Sequence, residues 1–214
     1  GVAVSACKLS SFRLEIPGDP SQAAYWLVGA CITPGSDLVV EHVYLGTGRT
    51  GFVGVLQRMG ADVVVEHHDP VTHTADIRAR YGPLHATEVG GAEVPSLIDE
   101  IPVLAVAAAV AEGTTVFRDA AELAVKESNR IETTASELRS IGVEVVARPD
   151  GMEVHGRAGR PLTGGSVDSH GDHRIAMAMA VAGLAARLPV LVSGWEAVAT
   201  SYPTFKEDLR RCES

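Results

Sequence analysis

The densest polar constellation is Val125-Lys126-Glu127-Ser128-Asn129-Arg130. Two cations and a carboxylate lie within five residues, and the run precedes an amphipathic segment at 129–141 that reads as a helix. Placed on the start of that helix, Lys126 and Arg130 are four residues apart and share a side, where free backbone N–H groups add to the attraction for an anion. The same residues also suit a solvated, salt-bridged helix end, an interaction worth little on its own.

A second run, Ser169-His170-Gly171-Asp172-His173-Arg174, stands directly before an almost wholly apolar segment at 175–186. Asp172 suits an N-cap, which puts His173 and Arg174 in the first helical turn. Positive charge there opposes the helix macrodipole, a cost that an anion bound between the cations would offset. Capping with a solvent-facing Arg174 is the plainer alternative, and adjacency argues against a Ser-His-Asp triad, whose members rarely neighbour each other in sequence.

The third run is Ile98-Asp99-Glu100-Ile101-Pro102, ahead of another apolar segment, with Asp99 read as the N-cap of a helix over 99–111. Asp19, Asp99 and Asp172 thereby head three comparable helices that can point to one region. Weaker features are Gly46-Thr47-Gly48-Arg49-Thr50-Gly51 and the group His67, His68, Asp69 and His73. The first lacks the Lys-Ser/Thr of a P-loop and reads as a glycine-rich turn into a helix at 50–59. The second reads as a hairpin loop without recurring metal-ligand spacing.

The elements that hold these residues recur. An extended segment is followed by an Ala-rich helix, a β-branched strand, an amphipathic helix ending in Gly, and another strand. Copy one has helix 21–32, strand 37–43, helix 50–59 and the strand pair 62–66 with 75–80. Copy two has helix 99–111, strand 114–118, helix 129–141 and the pair 144–147 with 152–155. Copy three has helix 172–186, strand 190–193 and helix 202–212, and no closing pair. A repeat that cannot finish covering its helices borrows strands, either from residues 1–14 or from polypeptide outside this sequence.

The chain has 214 residues, 46% of them hydrophobic and 21% charged, which excludes a disordered or fibrous protein and allows a sizeable core. A formal charge of −9 argues against a general nucleic-acid or anionic-membrane surface, so any anionic ligand needs a local basic cluster. The longest apolar run, 103–111, is about half of what spans a bilayer, and no secretory signal is evident at 1–10. Three widely spaced cysteines argue against a disulfide framework or a cysteine-zinc site, and point to a reducing cytoplasm.

From about Phe12 onward the chain resembles the enolpyruvyl transferase family, specifically the C-terminal half of its 5-enolpyruvylshikimate-3-phosphate (EPSP) synthase branch. The resemblance is carried in order by Ile16-Pro17-Gly18-Asp19, Arg58-Met59-Gly60-Ala61-Asp62, Ile98-Asp99-Glu100-Ile101-Pro102, Glu112-Gly113-Thr114-Thr115, Val125-Lys126-Glu127-Ser128-Asn129-Arg130, Gly171-Asp172-His173-Arg174 and Ser201-Tyr202-Pro203-Thr204-Phe205. It implies an α/β (α+β) fold, an inverse α/β prism-like domain of three βαβαββ units around buried helices, with the third unit lacking its closing strands. Residues 1–13 would be a linker or the end of a preceding domain. Residues 14–214 would be the C-terminal domain, in units of about 14–81, 82–158 and 159–214.

The resemblance further implies transfer of the enolpyruvyl group of phosphoenolpyruvate to the 5-hydroxyl of shikimate 3-phosphate, with release of phosphate and with no metal or organic cofactor. Asp99 resembles a proton-accepting aspartate that contacts shikimate hydroxyls. Lys126 resembles a lysine that binds shikimate 3-phosphate near the reacting hydroxyl, and Glu127 the carboxylate that handles the proton at the methylene carbon. Arg130 and Arg174 resemble the arginines that hold phosphoenolpyruvate, with His173 beside them. Thr200 stands where some members carry a lysine. The family's N-terminal domain, with its own phosphate-binding residues, has no counterpart here, so the chain alone is expected to be inactive or nearly so. A UDP-N-acetylglucosamine enolpyruvyl transferase half and a noncatalytic binding module on the same fold are the alternatives.

Overall fold

The computed structural model describes residues 1–8, 10–11, 13–46 and 48–212. Phe12, from which the resemblance is counted, and Thr47 of the glycine-rich turn lie outside the described residues. Copy one contains α1 (Pro20–Ile32), β1 (Asp37–Tyr44), α2 (Gly51–Arg58), β2 (Asp62–Asp69) and β3 (Thr74–Arg80). Copy two contains β4 (Glu88–Val89), α3 (Ile101–Val110), β5 (Thr114–Phe117), α4 (Arg130–Ser140), β6 (Glu144–Arg148) and β7 (Gly151–His155). Copy three contains β8 (Gly165–Asp168), α5 (His173–Gly183), β9 (Val190–Ser193) and α6 (Phe205–Cys212).

Three helices occupy the centre because they are apolar nearly all round, and such a helix is stable only when covered on every side. Residues 101–109 of α3 are all buried, and α1 and α5 pack on α3 and on each other. The amphipathic α2 and α4 cover their own sheets with one face. Each ends at a glycine in the left-handed region, Gly60 (φ 83°) and Gly142 (φ 87°), a conformation that a side chain would strain. Thr33 stops α1: it precedes Pro34, which disfavours helical backbone, and its hydroxyl donates to the Gly29 carbonyl at 2.7 Å.

Strand pairing repeats with the helices. The leading segment of each copy pairs parallel with the strand that follows the central helix: Gly18 with Val43, β4 with β5, and β8 with β9. In the first two copies that strand also pairs antiparallel with the last strand, in the orders β1-β3-β2 and β4-β5-β7-β6. Among the described residues β8 and β9 form a sheet of two strands, and Leu191 on β9 is 65% exposed.

Several local expectations are corrected. The helix expected over 172–186 ends at Gly183, and that expected over 202–212 begins at Phe205, after Pro203 and a turn in which the Thr204 hydroxyl donates to Asp208 at 2.8 Å. His67 and His68 belong to β2 rather than to a loop, and His67 pairs with Asp76 across to β3 at 3.0 Å. No group of three or more metal-ligating side chains is found among the described residues. No helix among them is long and apolar enough to cross a membrane.

Asp19 caps α1 by accepting from the Ser21 backbone N–H at 3.0 Å, as Asp172 caps α5 by accepting from that of Arg174 at 2.9 Å. Loss of the α1 cap in Asp19→Ala is expected to cost about 1 kcal/mol, a drop in melting temperature of about 2–4 °C in a scanning calorimeter.

Candidate functional site

The N-terminal ends of α1, α3 and α5 meet the loop that leads into α4, and the three polar runs of the sequence meet with them. Arg130, the first residue of α4, is at the centre and is 1% exposed. Its Nε donates to Asp172 Oδ2 at 2.8 Å, its Nη1 to Asp99 Oδ1 at 2.9 Å, and its Nη2 to Asp172 Oδ1 at 3.4 Å and closely to Glu127 Oε2. A guanidinium carries five N–H donors, so among the described residues one on Nη1 is left without an acceptor. Ser128 adds a hydroxyl to Asp172 Oδ2 at 3.1 Å. Asp172 therefore joins two jobs, capping α5 and anchoring Arg130; only the first was legible from the sequence.

Asp99 is the hub for the remaining cations. Its Oδ1 lies 3.7 Å from Lys126 Nζ, its Oδ2 lies 3.5 Å from Arg174 Nη2, and its backbone carbonyl accepts from Arg174 Nη1 at 3.3 Å. Burial pushes the Asp99 carboxyl up, but the charges of Arg174, Lys126 and Arg130 outweigh it and hold the carboxyl below its ordinary range. Asp172 is held down likewise: burial raises it, and the Arg130 hydrogen bond and charge more than reverse this.

Two sequence expectations about these residues change. Asp99 does not cap α3: it sits in a 3₁₀ turn, Ile98–Glu100, and Glu100 takes the cap position without a side-chain cap bond. Its carboxylate is drawn away from the backbone by three cations, which offer stronger partners than an N–H. Lys126 is not on the start of α4 but follows a 3₁₀ turn, Ala121–Val125, with Asn129 capping the helix through the Glu132 N–H. Lys126 and Arg130 reach the same carboxylate from a loop and a helix. Nζ of Lys126 also donates to Glu122 Oε1 at 2.6 Å, and that bond, foremost, raises its pKa and keeps it cationic.

His173 is half-buried beside Arg174, and its ring makes no hydrogen bond among the described residues. Burial first, and then the Arg174 charge, lower its pKa and favour the neutral ring. Thr200 is not at the cluster's core: its hydroxyl donates to the Ala197 carbonyl at 2.7 Å inside its own turn.

Sequence reasoning missed Arg49, whose Nη2 donates to Asp19 at 3.2 Å and to Ser21 Oγ at 3.1 Å, tying the α1 terminus to the turn before α2. It also missed Tyr25 and Glu100, buried directly behind Arg174. A glutamate at the cap register of a wholly apolar helix was the available signal for Glu100. Tyr25 carried none, because one aromatic in an apolar helix reads as core.

The cluster lies on an open wall. Two concavities of about 380 and 570 Å³ lie elsewhere, at the C-terminal ends of the central helices and between α1 and α6, and neither is lined by Asp99, Lys126, Arg130 or Arg174. Chemically the wall offers accessible cations, Arg174 at 14% and Lys126 at 23% side-chain exposure, next to two carboxylates, Asp99 and Glu127, at 34% and 51%. That set suits a multiply anionic ligand and proton transfer beside it.

The family model described as EPSP synthase (3-phosphoshikimate 1-carboxyvinyltransferase) matches residues 3–209. A 3-phosphoshikimate 1-carboxyvinyltransferase of Synechococcus sp. (strain JA-3-3Ab) is 49% identical over 97% of this chain and 47% of its own length. One from Geobacillus thermodenitrificans is 45% identical over 98% of this chain and 50% of its own. The solved EPSP synthase of Acinetobacter baumannii superposes with a TM-score of 0.89 at 42% identity, covering 92% of this chain and 46% of that one. The enolpyruvyl transferase NikO of Streptomyces tendae, at 20% identity and a TM-score of 0.71, shares the fold. The chain thus spans about half the length of the curated relatives it matches.

Proposed function

This chain belongs to the EPSP synthase family, and from that membership we propose that it supplies one wall of an active site that transfers the enolpyruvyl group of phosphoenolpyruvate to the 5-hydroxyl of shikimate 3-phosphate. The observation that carries the reading is the convergence of Lys126, Arg130 and Arg174 on Asp99, on an open surface with Glu127 alongside.

In this reading Arg174, with Arg130 behind it, holds the carboxylate and phosphate of phosphoenolpyruvate, for which guanidinium forks are suited, and His173 lies beside them. Lys126 meets shikimate 3-phosphate near the reacting hydroxyl. Asp99 takes the hydroxyl proton as the oxygen bonds to C2, and Glu127 delivers a proton to the C3 methylene. The tetrahedral adduct then loses phosphate, which leaves with the hydroxyl proton held by Asp99, as Glu127 takes a proton back from C3 and the double bond is restored. The cations stabilise negative charge on the adduct and on the departing phosphate.

Residues 14–214 form, in this reading, one enolpyruvyl transferase domain of units 14–81, 82–158 and 159–214, with 1–13 as linker. A second domain of similar size supplies the facing wall. The open edge of β9 supports the addition of strands from outside the third unit. The odd, widely spaced cysteines support a cytoplasmic location.

The test is phosphate release from the two substrates, followed for this chain alone and for the full-length protein that carries it. The full-length protein is expected to turn over and the chain alone to release none. Robust turnover by the chain alone removes the one-wall reading, and a full-length protein inactive with both substrates removes the reaction.

A further inference from the structure

Behind Arg174 the structure keeps two polar atoms that nothing satisfies. Tyr25 Oη and Glu100 Oε1 are buried, in residues 1% and 4% exposed, and neither has a hydrogen-bond partner among the described residues. Unpaired buried polar groups are costly, and a phenylalanine would fill the Tyr25 site without that cost. The ring itself is fixed, edge-on to Phe205 with centroids 5.9 Å apart.

Arg174 is the group able to satisfy both atoms. Its contacts are all long: Nη1 lies 3.3 Å from the Asp99 carbonyl and 3.6 Å from Glu100 Oε1, and Nη2 lies 3.5 Å from Asp99 Oδ2. Arg130, one helix away, is held at 2.8–2.9 Å. So the Arg174 guanidinium is close to, but not seated in, a set of bonds. Burial, foremost, raises the Tyr25 phenol and the Glu100 carboxyl, and the Arg174 charge opposes both shifts, which puts its field on each group.

We infer that Tyr25 and Glu100 are positioning residues for Arg174. When a carboxylate- or phosphate-bearing ligand draws the outer face of the guanidinium into a fork, an inner N–H donates to Tyr25 Oη, and the phenol O–H in turn donates to Glu100 Oε1. The two unpaired atoms are thus satisfied in the ligand-bound state and hold the fork in one orientation. The inference rests on the reading of Arg174 as a phosphoenolpyruvate ligand and adds the residues that aim it.

The experiment uses the full-length protein with Tyr25→Phe and Glu100→Gln, measuring kcat, the KM for each substrate, and the melting temperature without ligand. Tyr25→Phe is expected to raise the melting temperature by about 2–4 °C, since it removes an unsatisfied hydroxyl. It is also expected to raise the KM for phosphoenolpyruvate about 10–150-fold, the worth of a hydrogen bond to a charged group, with kcat and the KM for shikimate 3-phosphate within about twofold. Glu100→Gln keeps an acceptor but loses the charge, and is expected to raise the same KM by about three- to fivefold. An unchanged KM for phosphoenolpyruvate in both variants, or an equal rise for both substrates, overturns the inference. If Tyr25→Phe does not fold, the KM split in Glu100→Gln decides. Wild-type protein that fails to turn over removes the underlying reading instead, so the two failures are distinct.

Discussion

Replacing Arg130 by alanine is expected to lower stability by about 3–5 kcal/mol and kcat/KM of the full-length protein by about 10²–10³-fold. The side chain is 1% exposed and its partner Asp172 is 0% exposed, so the variant leaves a carboxylate in the interior with only a serine hydroxyl and a backbone N–H for company. Removing one member of a buried pair costs far more than the pair contributes, because the remaining charge keeps its desolvation penalty. In a chain of this size that loss corresponds to a drop of roughly 6–20 °C in melting temperature. Arg130→Lys separates charge from geometry. It restores a cation but not the fork that reaches Asp99, Glu127 and Asp172 at once, and is expected to recover part of the stability and little of the activity.

The pH dependence of this variant has a definite sign. In the native protein Asp172 titrates below its ordinary value, so its contribution is present above the unfolded pKa of about 3.9 and is lost as pH falls through the lower folded value. Without Arg130 the largest remaining influence is burial, which raises the carboxyl. Acid unfolding of Arg130→Ala is then expected to begin at higher pH than in the wild type, measured by circular dichroism across pH 3–6. A variant that melts within about 1 kcal/mol of wild type would show that Arg130 is not the keystone of the cluster.

Much of the scaffold could be read from periodicity because the signals were local and repeated. Gly60 and Gly142 end equivalent helices, and apolar residues all round α3 leave no face for water. The strands 37–44 and 114–117 follow from β-branched runs after a helix stop. What failed was any feature decided by a partner distant in sequence. Asp99 has the residue type of a cap, but Arg130 lies 31 residues away and Arg174 lies 75 away, and those cations outbid the backbone for its carboxylate. Lys126 and Arg130 have helix-face spacing, yet the chain breaks at Asn129 and they meet through Asp99 instead. Tyr25 gave no polar pattern at all, and Glu100 gave only its place at the cap register of α3. Their significance comes from unsatisfied atoms, which exist only once the three central helices are packed.

Asp99→Asn is the sharper test of chemistry, because amide and carboxylate have the same shape and the scaffold is left in place. The full-length variant is expected to lose about 10²–10⁴-fold in kcat, the range that a positioned general base contributes. Binding is expected to move the other way. Asp99 neutralises part of the charge on Lys126, Arg130 and Arg174, so removing its charge leaves a more positive wall and an equal or lower KM for an anionic substrate. A rise in KM with unchanged kcat would mean that Asp99 only organises the cations. The same electrostatics sets the pH profile. In the free protein the cations depress the Asp99 pKa, which makes it a stable anion but a weak base. In the proposed reaction two bound anionic substrates would offset those cations and push the pKa up, strengthening Asp99 as a base in the complex. The acid limb of kcat is therefore expected at higher pH than the titration of Asp99 in the free protein, and that limb should vanish in Asp99→Asn. Coincidence of the two, or an acid limb kept by the variant, would assign the proton to another group, with Glu127 the next carboxylate to examine.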